Sequence, residues 1–201
     1  MMKRAIITSV AVFTLTLSAC GQSSRTGQTA LQDDMAIGAA DGAKVTVVEY
    51  ASTTCSGCAA WNENVWPEFR TKYVDNNKIR FVFREFPTPP QDIAVAGFLI
   101  ARCAGDDQYF EVVDHLMRAQ TEMRNGVAPR DILLRTAQAA GLSEAKFKEC
   151  TTDKAAIAAM EQRIKQASAA GITGTPTFMV NGQIVADNSL SGLSARIDPL
   201  L

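Results

Sequence analysis

Two cysteines separated by two small residues lie in the stretch ASTTCSGCAAW, Ala51 to Trp61, between an apolar run and a helical pattern. The preceding run KVTVVEY, Lys44 to Tyr50, is β-branched and almost continuously apolar, which predicts a buried strand. From Cys55 to about Val74 the pattern predicts a helix, which Pro67 should bend. The cysteine pair is therefore predicted at the start of a helix that directly follows a buried strand.

The rest of the chain adds one strand, a helical block and a hairpin. KIRFVFREF, Lys78 to Phe86, predicts a second strand, and the chain is then helical in pattern from about Asp92 to Ala170. TPTFMVNGQIVA contains Asn181-Gly182 between two apolar runs, which predicts a hairpin with a type I′ turn, and LSGLSARIDPLL predicts a short closing helix. The order predicts an α/β fold in which a βαβ unit and a β-hairpin flank a helical insertion at about 90–170.

Composition is consistent with a single globular domain. The chain has 201 residues, of which 47% are hydrophobic and 20% charged. Its formal net charge is −1, and removal of Lys3 and Arg4 with a leader peptide would make it −3. No basic stripe is visible, so we expect no nucleic-acid partner.

The N-terminal sequence MMKRAIITSVAVFTLTLSAC predicts a leader peptide. Two cations precede an uncharged run from Ala5 to Leu17, which as a helix would reach only ~20 Å against a hydrocarbon core of roughly 30 Å. The ending LSAC resembles a bacterial lipobox, which implies that Cys20 becomes a lipidated N-terminus. The alternative is an ordinary secreted protein with a spare cysteine. We therefore expect a cleaved signal at 1–19, a flexible polar tether at 20–38 and a folded domain at 39–201.

Export of the protein from the cytoplasm would place the remaining cysteines in an oxidising environment, where disulfides persist. If lipid occupies Cys20, four remain: Cys55, Cys58, Cys103 and Cys150, for which three pairings are open. A bond between Cys103 and Cys150 would close a long loop and stabilise the fold by ~4 kcal/mol in the chain-entropy model. Two buried free thiols are the alternative for this pair.

Cys55-x-x-Cys58 has two other interpretations, a metal-binding site and a purely structural disulfide. A closed zinc site needs four Cys or His ligands, but the chain has no second Cys-x-x-Cys, and its single histidine, His115, has no neighbour at ligand spacing. A disulfide that closes so short a loop would remove little conformational entropy from the unfolded chain and would therefore stabilise the fold only slightly. A cysteine in the first helical turn instead faces unpaired N–H groups, which favour the reactive thiolate. We therefore expect no metal, and we favour a redox pair.

The chain resembles the DsbA-like thiol:disulfide oxidoreductases of the thioredoxin superfamily. The resemblance lies in the order and spacing of VTVVEYASTTCSGCAAW, KIRFVFREFP, ARCAGDDQYFEVVDHL, FKEC and GITGTPTFMVNG, and it covers about Ala39 to the C-terminus. It implies a thioredoxin-like fold with a helical insertion between the N-terminal βαβ unit and the C-terminal hairpin. It also implies no dissociable cofactor beyond the Cys55–Cys58 disulfide.

Family roles can be carried over residue by residue. Cys55 corresponds to the exposed nucleophile and Cys58 to the buried resolving cysteine. Pro176 corresponds to a cis-proline that lies against the disulfide, and Thr175 would offer its backbone to an extended substrate. Glu49 matches a buried acid that would pass a proton to or from Cys58, its alternative being a surface charge at a strand end.

Three further residues complete the predicted substrate surface. Ser56 and Gly57 are small enough to let a substrate chain approach, and Trp61 would either shape a substrate groove or pack in the core. The strongly oxidising relatives carry Pro-His between the cysteines, whereas this chain has Ser56-Gly57. Thiolate stabilisation is therefore expected from helix N–H groups alone, and the reduction potential is left open.

These inferences predict a lipid-anchored enzyme of the bacterial cell envelope that introduces disulfides into secreted cysteine-containing proteins. The resemblance implies re-oxidation by a quinone-linked membrane partner of the DsbB type. Two alternatives stand beside this prediction. One is a tethered thiol reductase of the same fold, and the other is a non-enzymatic lipoprotein that binds a metal or a partner.

Overall fold

The computed structural model describes residues 33–201, which form a five-stranded sheet with helices on both faces. The strands are β1 (Met35–Gly38), β2 (Thr46–Ala51), β3 (Arg80–Glu85), β4 (Thr177–Val180) and β5 (Gln183–Val185), in the spatial order β1-β3-β2-β4-β5. β2 and β3 are parallel, and all other neighbours are antiparallel. The predicted βαβ unit and the predicted hairpin therefore share one sheet, which confirms the predicted α/β class.

The first predicted helix is interrupted. Helix α1 (Ser56–Asn64) ends at Val65, and α2 (Trp66–Phe69) then runs into a π-helical turn, Arg70–Val74. Pro67 lies in the first turn of α2, where its missing N–H would have had no partner within the helix. The proline thus sets a break between two helices rather than a bend in one.

Six helices form the insertion between β3 and β4. They are α3 (Gln91–Cys103), α4 (Asp106–Arg118), α5 (Gln120–Arg124), α6 (Pro129–Ala139), α7 (Glu144–Thr152) and α8 (Lys154–Ala169). Helix α9 (Leu190–Ile197) and a 3-10 turn, Asp198–Leu200, follow β5. Among residues 33–201, no helix has the length and apolarity that a membrane span requires.

Alternation along β2 assigns its side chains to two cores. Val47 and Ala51 face the larger core, which contains Cys58 and residues of α1, α3 and α4. Val48 and Tyr50 face the opposite side, where Ala167 of α8 packs on the sheet. Because the strand period is two, Glu49 shares the face of Val47 and is directed into the larger core.

The hairpin turn forms as predicted. Asn181 and Gly182 have φ values of 46° and 81°, and both positive angles are required by a type I′ turn. The Asn181 side chain also accepts a hydrogen bond from the Thr46 N–H at 2.8 Å and donates one to the Lys44 carbonyl at 3.2 Å. The turn is thereby attached to the beginning of β2.

The predicted start of the domain at residue 39 is wrong. Residues 35–38, assigned to the tether, form β1 and pair with β3 at the edge of the sheet. Just before β1, the Asp34 carboxylate accepts two hydrogen bonds from Arg84, at 2.8 and 2.7 Å. This tertiary pairing has no local sequence signal. The predicted signal, Cys20 and the rest of the tether lie outside the described residues.

The end of β3 is buried, although it carries the charged residues Arg84 and Glu85. Glu85 is 1% exposed and accepts hydrogen bonds from Arg102 of α3, Arg163 of α8 and the hydroxyl of Tyr109 of α4. A disulfide between Cys103 and Cys150 links α3 to α7 with a Cα–Cα distance of 6.1 Å. The helical insertion is thus fixed to the sheet by ion pairs and fastened internally by a covalent bond.

Candidate active site

Cys55 lies at the N-cap of α1, immediately after the loop that follows β2. Its backbone is extended, with φ −80° and ψ 117°, and its sulfur accepts a hydrogen bond from the Cys58 N–H at 3.2 Å. The thiol donates to the Thr175 carbonyl at 3.4 Å. Cys55 is half-buried, while Cys58, one turn further into the helix, is fully buried, and both are free thiols in this structure.

The environments of the two sulfurs shift their pKa values in opposite directions. A hydrogen bond from the Cys58 side chain lowers the pKa of Cys55 to about 6, against the effect of partial burial. The Thr175 side chain and the N–H groups of Cys58 and Gly57 act in the same direction. Burial raises the pKa of Cys58, and the charges of Cys55 and Glu49 add to this effect. The expectation that helix N–H groups act alone is therefore wrong, because the second cysteine contributes most.

Glu49 is 3% exposed on β2 and is not a surface charge. In register it lies between Phe83 of β3 and Phe178 of β4, and its Oε1 has no hydrogen-bond partner within residues 33–201. Burial raises its pKa to about 8, and the charge of Cys55 adds to the shift. Glu49 is consequently a carboxyl group that is largely protonated at neutral pH.

The loop before β4 lies against the cysteine motif. The Thr175–Pro176 peptide bond is cis, as the resemblance implied, and the Thr175 carbonyl faces the Cys55 sulfur. A Cβ atom placed on Gly57 would lie 3.3 Å from Cδ of Pro176 and 3.8 Å from the sulfur of Cys55. The two loops therefore meet at Gly57, and Ser56 and Gly57 are both exposed.

Trp61 does not lie on the exposed surface around Cys55, which contradicts its assignment to the substrate groove. It is 5% exposed and packs against Phe178, with ring centroids 4.6 Å apart, and against Trp66 and Phe69. Its indole N–H donates to the Asn188 carbonyl at 2.8 Å. Trp61 follows Cys58 by three residues on α1 and so shares its buried face, which supports the packing interpretation.

Gln120 was missed by the sequence analysis. It begins α5 in the helical insertion, is 5% exposed, and donates its side-chain amide to the carbonyls of Thr53 and Cys55, at 2.8 and 3.1 Å. The residues are 67 and 65 positions apart in sequence, so no local pattern could have revealed the contact. Gln120 ties the loop that carries Cys55 to the insertion.

A second set of hydrogen bonds fixes the same loop to the segment after β3. The Ser52 hydroxyl accepts from the Thr88 N–H at 3.0 Å, and the Thr54 hydroxyl donates to the Thr88 carbonyl at 2.7 Å. Hydroxyl-rich turns such as ASTT are a sequence signal for side-chain-to-backbone bonding. The backbone before Cys55 is thus held from two sides.

Within residues 33–201, no three His, Cys, Asp or Glu side chains are grouped so as to hold a metal ion. His115 is exposed on α4. Cys103 and Cys150 are bonded to each other rather than left as free thiols.

Comparison with known sequences relates this arrangement to a thioredoxin family. The family model described as Thioredoxin matches residues 30–199. A protein of Rickettsia bellii, named provisionally as a protein-disulfide oxidoreductase, is 34% identical over 169 residues. The match covers 83% of this chain and 64% of the rickettsial protein, so the chain spans less than two thirds of that relative's length.

Solved structures show the same fold. α-DsbA1 of Wolbachia pipientis has a TM-score of 0.79 at 24% identity, and the match covers 89% of this chain and 96% of that one. Oxidised BdbD of Bacillus subtilis has a TM-score of 0.71 at 19% identity, covering 83% and 92%.

Proposed function

Because this chain belongs to the thioredoxin superfamily and is DsbA-like, we propose that it is a thiol:disulfide oxidoreductase that introduces disulfides into exported proteins. The observation that carries this proposal is the asymmetry of the cysteine pair. Cys55 is half-exposed with a pKa lowered to about 6, and Cys58 is buried with a raised pKa. Cys55 is thus suited to ionise and to react with a substrate, whereas Cys58 is suited to stay buried in the protein.

The proposed reaction conserves atoms and electrons. In the oxidised enzyme a substrate thiolate attacks the Cys55 sulfur, the Cys55–Cys58 bond breaks, and Cys58 leaves as a thiolate that takes up a proton. A second substrate thiolate then attacks the substrate sulfur of the mixed disulfide and expels Cys55 as a thiolate. The substrate dithiol becomes a disulfide, and the enzyme disulfide becomes a dithiol, so two electrons pass to the enzyme.

Glu49 would supply the proton that Cys58 needs. Its pKa of about 8 keeps the carboxyl protonated near neutral pH, and once it is ionised its charge raises the pKa of the Cys58 thiol, which favours proton transfer to Cys58. A buried acid with a pKa near the working pH is suited to both donate and recover a proton. Cys58 would therefore be protonated as it leaves, with the negative charge passing to Glu49 until that carboxyl recovers a proton.

Thr175 and Pro176 would hold the substrate in extended form, with Ser56 and Gly57 leaving room for it. The carbonyl of Thr175 already faces the Cys55 sulfur, at 3.4 Å. Backbone hydrogen bonds from such a loop bind a chain largely without regard to its sequence. This arrangement would allow one enzyme to oxidise many proteins.

The direction of electron flow follows from which redox state is stabilised. A thiolate at Cys55 stabilises the reduced enzyme relative to an unperturbed dithiol, and this makes the disulfide form a better oxidant. The lipobox-like LSAC implies attachment at the cell envelope through Cys20. Turnover would then require a membrane partner that re-oxidises the pair, such as one of the DsbB type.

Two measurements test the proposal. The equilibrium of the Cys55–Cys58 couple against glutathione should give a potential above that of thioredoxin, ~−270 mV. The variant Cys58→Ala should accumulate mixed disulfides between Cys55 and exported cysteine proteins, whereas Cys55→Ala should accumulate none. A potential at or below that of thioredoxin would reverse the proposed direction and favour the reductase. An unreactive Cys55 would overturn the exchange itself.

A further inference from the structure

Three hydroxyl-bearing residues beside the cysteine pair form a closed ring of hydrogen bonds: Ser52, Thr54 and Thr88. The Thr88 N–H donates to the Ser52 hydroxyl at 3.0 Å, and the Thr54 hydroxyl donates to the Thr88 carbonyl at 2.7 Å. The hydroxyl oxygens of Ser52 and Thr54 lie 3.0 Å apart, which closes the ring. Both backbone polar groups of Thr88 are therefore bonded to side chains of the loop that carries Cys55.

The number of protons leaves one direction for each hydrogen bond of the ring. Thr54 has a single hydroxyl proton, and its bond to the Thr88 carbonyl uses that proton, because a carbonyl can only accept. The Ser52 hydroxyl must then donate to Thr54, and so must the Thr88 hydroxyl, whose oxygen is 3.2 Å away. Ser52 also accepts from the Thr54 N–H at 3.3 Å. The hydroxyls of Ser52 and Thr54 thus each donate once and accept twice, and hydrogen bonds in such a chain strengthen one another.

The ring continues the pairing of β2 with β3 beyond the ends of both strands. The Phe86 N–H still donates to the Ala51 carbonyl, at 2.9 Å, and the next connection is the ring that joins Ser52 and Thr54 to Thr88. Ser52 is fully buried, so water does not readily replace a partner that it loses. The hydroxyls therefore hold the loop on the segment that follows β3.

Both cysteines depend on the backbone that the ring holds. The Cys55 N–H donates to the Ser52 carbonyl at 3.1 Å, which closes the turn that places Cys55 at the N-cap of α1. Burial raises the pKa of the Cys58 thiol, and a backbone hydrogen bond with Ser52 acts in the opposite direction. A group that lowers the pKa of a thiol in this way is a donor, so the Ser52 N–H faces the Cys58 sulfur. Ser52 therefore connects the ring to both cysteines.

The ring has more to hold in the reduced enzyme than in the oxidised enzyme. In the oxidised form the covalent bond between Cys55 and Cys58 itself fixes the two sulfurs. In the reduced form, which this structure has, the Cys55 sulfur is instead held by the Cys58 N–H at 3.2 Å. Hydrogen bonds to an ionised group are stronger than those to a neutral group, so N–H groups stabilise a thiolate more than a disulfide sulfur. A turn that keeps these groups in place thus favours the reduced form.

Building on the proposed exchange reaction, we propose that Ser52 and Thr54 are positioning residues for the cysteine pair, and that their hydroxyl ring with Thr88 makes the enzyme a stronger oxidant. The ring holds the Ser52 N–H at the Cys58 sulfur, which becomes the leaving thiolate when a substrate attacks Cys55. It also holds Cys55 at the start of α1, where the thiolate forms when the substrate disulfide is released.

Variants of Thr54 test the ring through the equilibrium of the purified protein with glutathione. Thr54→Val keeps the shape of the side chain but removes the hydroxyl that bridges Ser52 and Thr88. It should make reduction of the disulfide by glutathione about tenfold less favourable, the factor expected for one buried hydrogen bond, which is ~30 mV for a two-electron couple. Thr54→Ser keeps the hydroxyl and should retain the wild-type equilibrium. Thr88→Val leaves both backbone groups of the ring in place, so its effect should be roughly threefold or less.

A buried threonine elsewhere separates positioning from a general loss of stability. Thr136 of α6 is buried and donates its hydroxyl to the Ile132 carbonyl at 2.8 Å. Thr136→Val should lower stability in urea to a similar extent as Thr54→Val but should leave the glutathione equilibrium unchanged. If both variants lose stability and neither moves that equilibrium, the ring is only structural and the proposal is overturned.

Amide hydrogen exchange of the reduced wild type tests the ring without any substitution. Thr88 lies beyond the end of β3, but its N–H should exchange about as slowly as that of Phe86, because the Ser52 hydroxyl binds it. Exchange of the Thr88 amide at the rate of an unstructured peptide would show that the ring does not persist in solution, and the proposal would then be wrong whatever the variants do.

The wild-type equilibrium distinguishes failure of this proposal from failure of the proposed function. If the wild type exchanges with glutathione and Thr54→Val has the same equilibrium, only the positioning role is refuted. If the Cys55–Cys58 pair of the wild type does not exchange with glutathione, the proposed function is refuted and the positioning role with it.

Discussion

Two glutamates are buried on adjacent parallel strands of the same sheet, and their surroundings differ. Glu85, at the end of β3, has both carboxylate oxygens occupied by Arg102, Arg163 and Tyr109. Glu49, on β2, has an Oε1 with no partner in the described part of the chain. Both side chains are almost fully excluded from water, at 1% and 3% exposure.

The comparison shows that burial of a carboxyl group does not by itself indicate chemistry. Glu85 has paired cations, so its charge can contribute to holding α3 and α8 on the sheet. Glu49 has no such cation within residues 33–201, and the same burial raises its pKa to about 8, which suits it to the proposed role of proton carrier. What separates a structural from a reactive acid here is whether the neighbouring helices supply an arginine.

At a fixed pH, the largest effect should come from removing the charge of Glu85, which is paired with two arginines. Glu85→Gln keeps the shape of the side chain but leaves Arg102 and Arg163 partly buried without their counter-charge. We expect the free energy of unfolding in urea to fall by about 3 kcal/mol. Glu144→Gln is the matched control, because Glu144 pairs with Arg130 at the surface and its loss should change stability by less than ~1 kcal/mol. Equal midpoints for the two variants would contradict the structural role of Glu85.

The next effect concerns Glu49, the buried carboxyl group without a paired arginine, and it depends on pH. Since the folded pKa of Glu49 is about 8 against an ordinary 4.5, the folded chain keeps a proton that the unfolded chain has lost between these values. This group should therefore make stability fall as pH rises from about 5 to 8, by at most ~1.4 kcal/mol per pH unit. Glu49→Gln should lack the decline.

The oxidised protein is the form in which to measure this slope. In the reduced form the Cys55 thiol, with its pKa lowered to about 6, adds stability as pH rises toward 9 and would oppose the Glu49 effect. Urea unfolding of the wild type and of Glu49→Gln at several pH values would give both slopes. If the two slopes are the same, Glu49 does not titrate as its burial requires.

The smallest effect tests Gln120, a buried neutral residue whose side-chain amide donates two hydrogen bonds. Gln120→Met removes the donors to the carbonyls of Thr53 and Cys55, and should lower stability by about 1–2 kcal/mol. If Gln120 positions Cys55, the pH midpoint for alkylation of Cys55 by iodoacetamide should also move upward. Gln138→Met, at an exposed position on α6, should change neither quantity. A stability loss with an unmoved midpoint would limit Gln120 to a structural role.

The parts of the molecule that could be predicted from sequence depend on local patterns. The strand before Cys55, the Asn181-Gly182 turn and the helical insertion each have a signal within a few residues. The order of these elements was then enough for the α/β class and for the position of Cys55 at the start of a helix.

The parts that could not be predicted depend on distant partners. The burial of Glu85 has no local sequence signal, because its partners Arg102 and Arg163 are 17 and 78 residues away. Gln120 is a similar case, and the sequence left two interpretations of Trp61 open because its burial depends on packing against Phe178 of the distant strand β4. The roles of polar residues thus could not be predicted where distant tertiary contacts, rather than sequence neighbours, provide their hydrogen-bond partners.

Strand β1 seals one margin of the sheet, and the Asp34–Arg84 pair holds it in place. A recombinant protein trimmed to begin at residue 39 would leave β3 with unprotected backbone groups, which invite pairing with other molecules and aggregation. An affinity tag or fusion partner is therefore best joined upstream of Asp33, so that the sheet keeps its outermost strand.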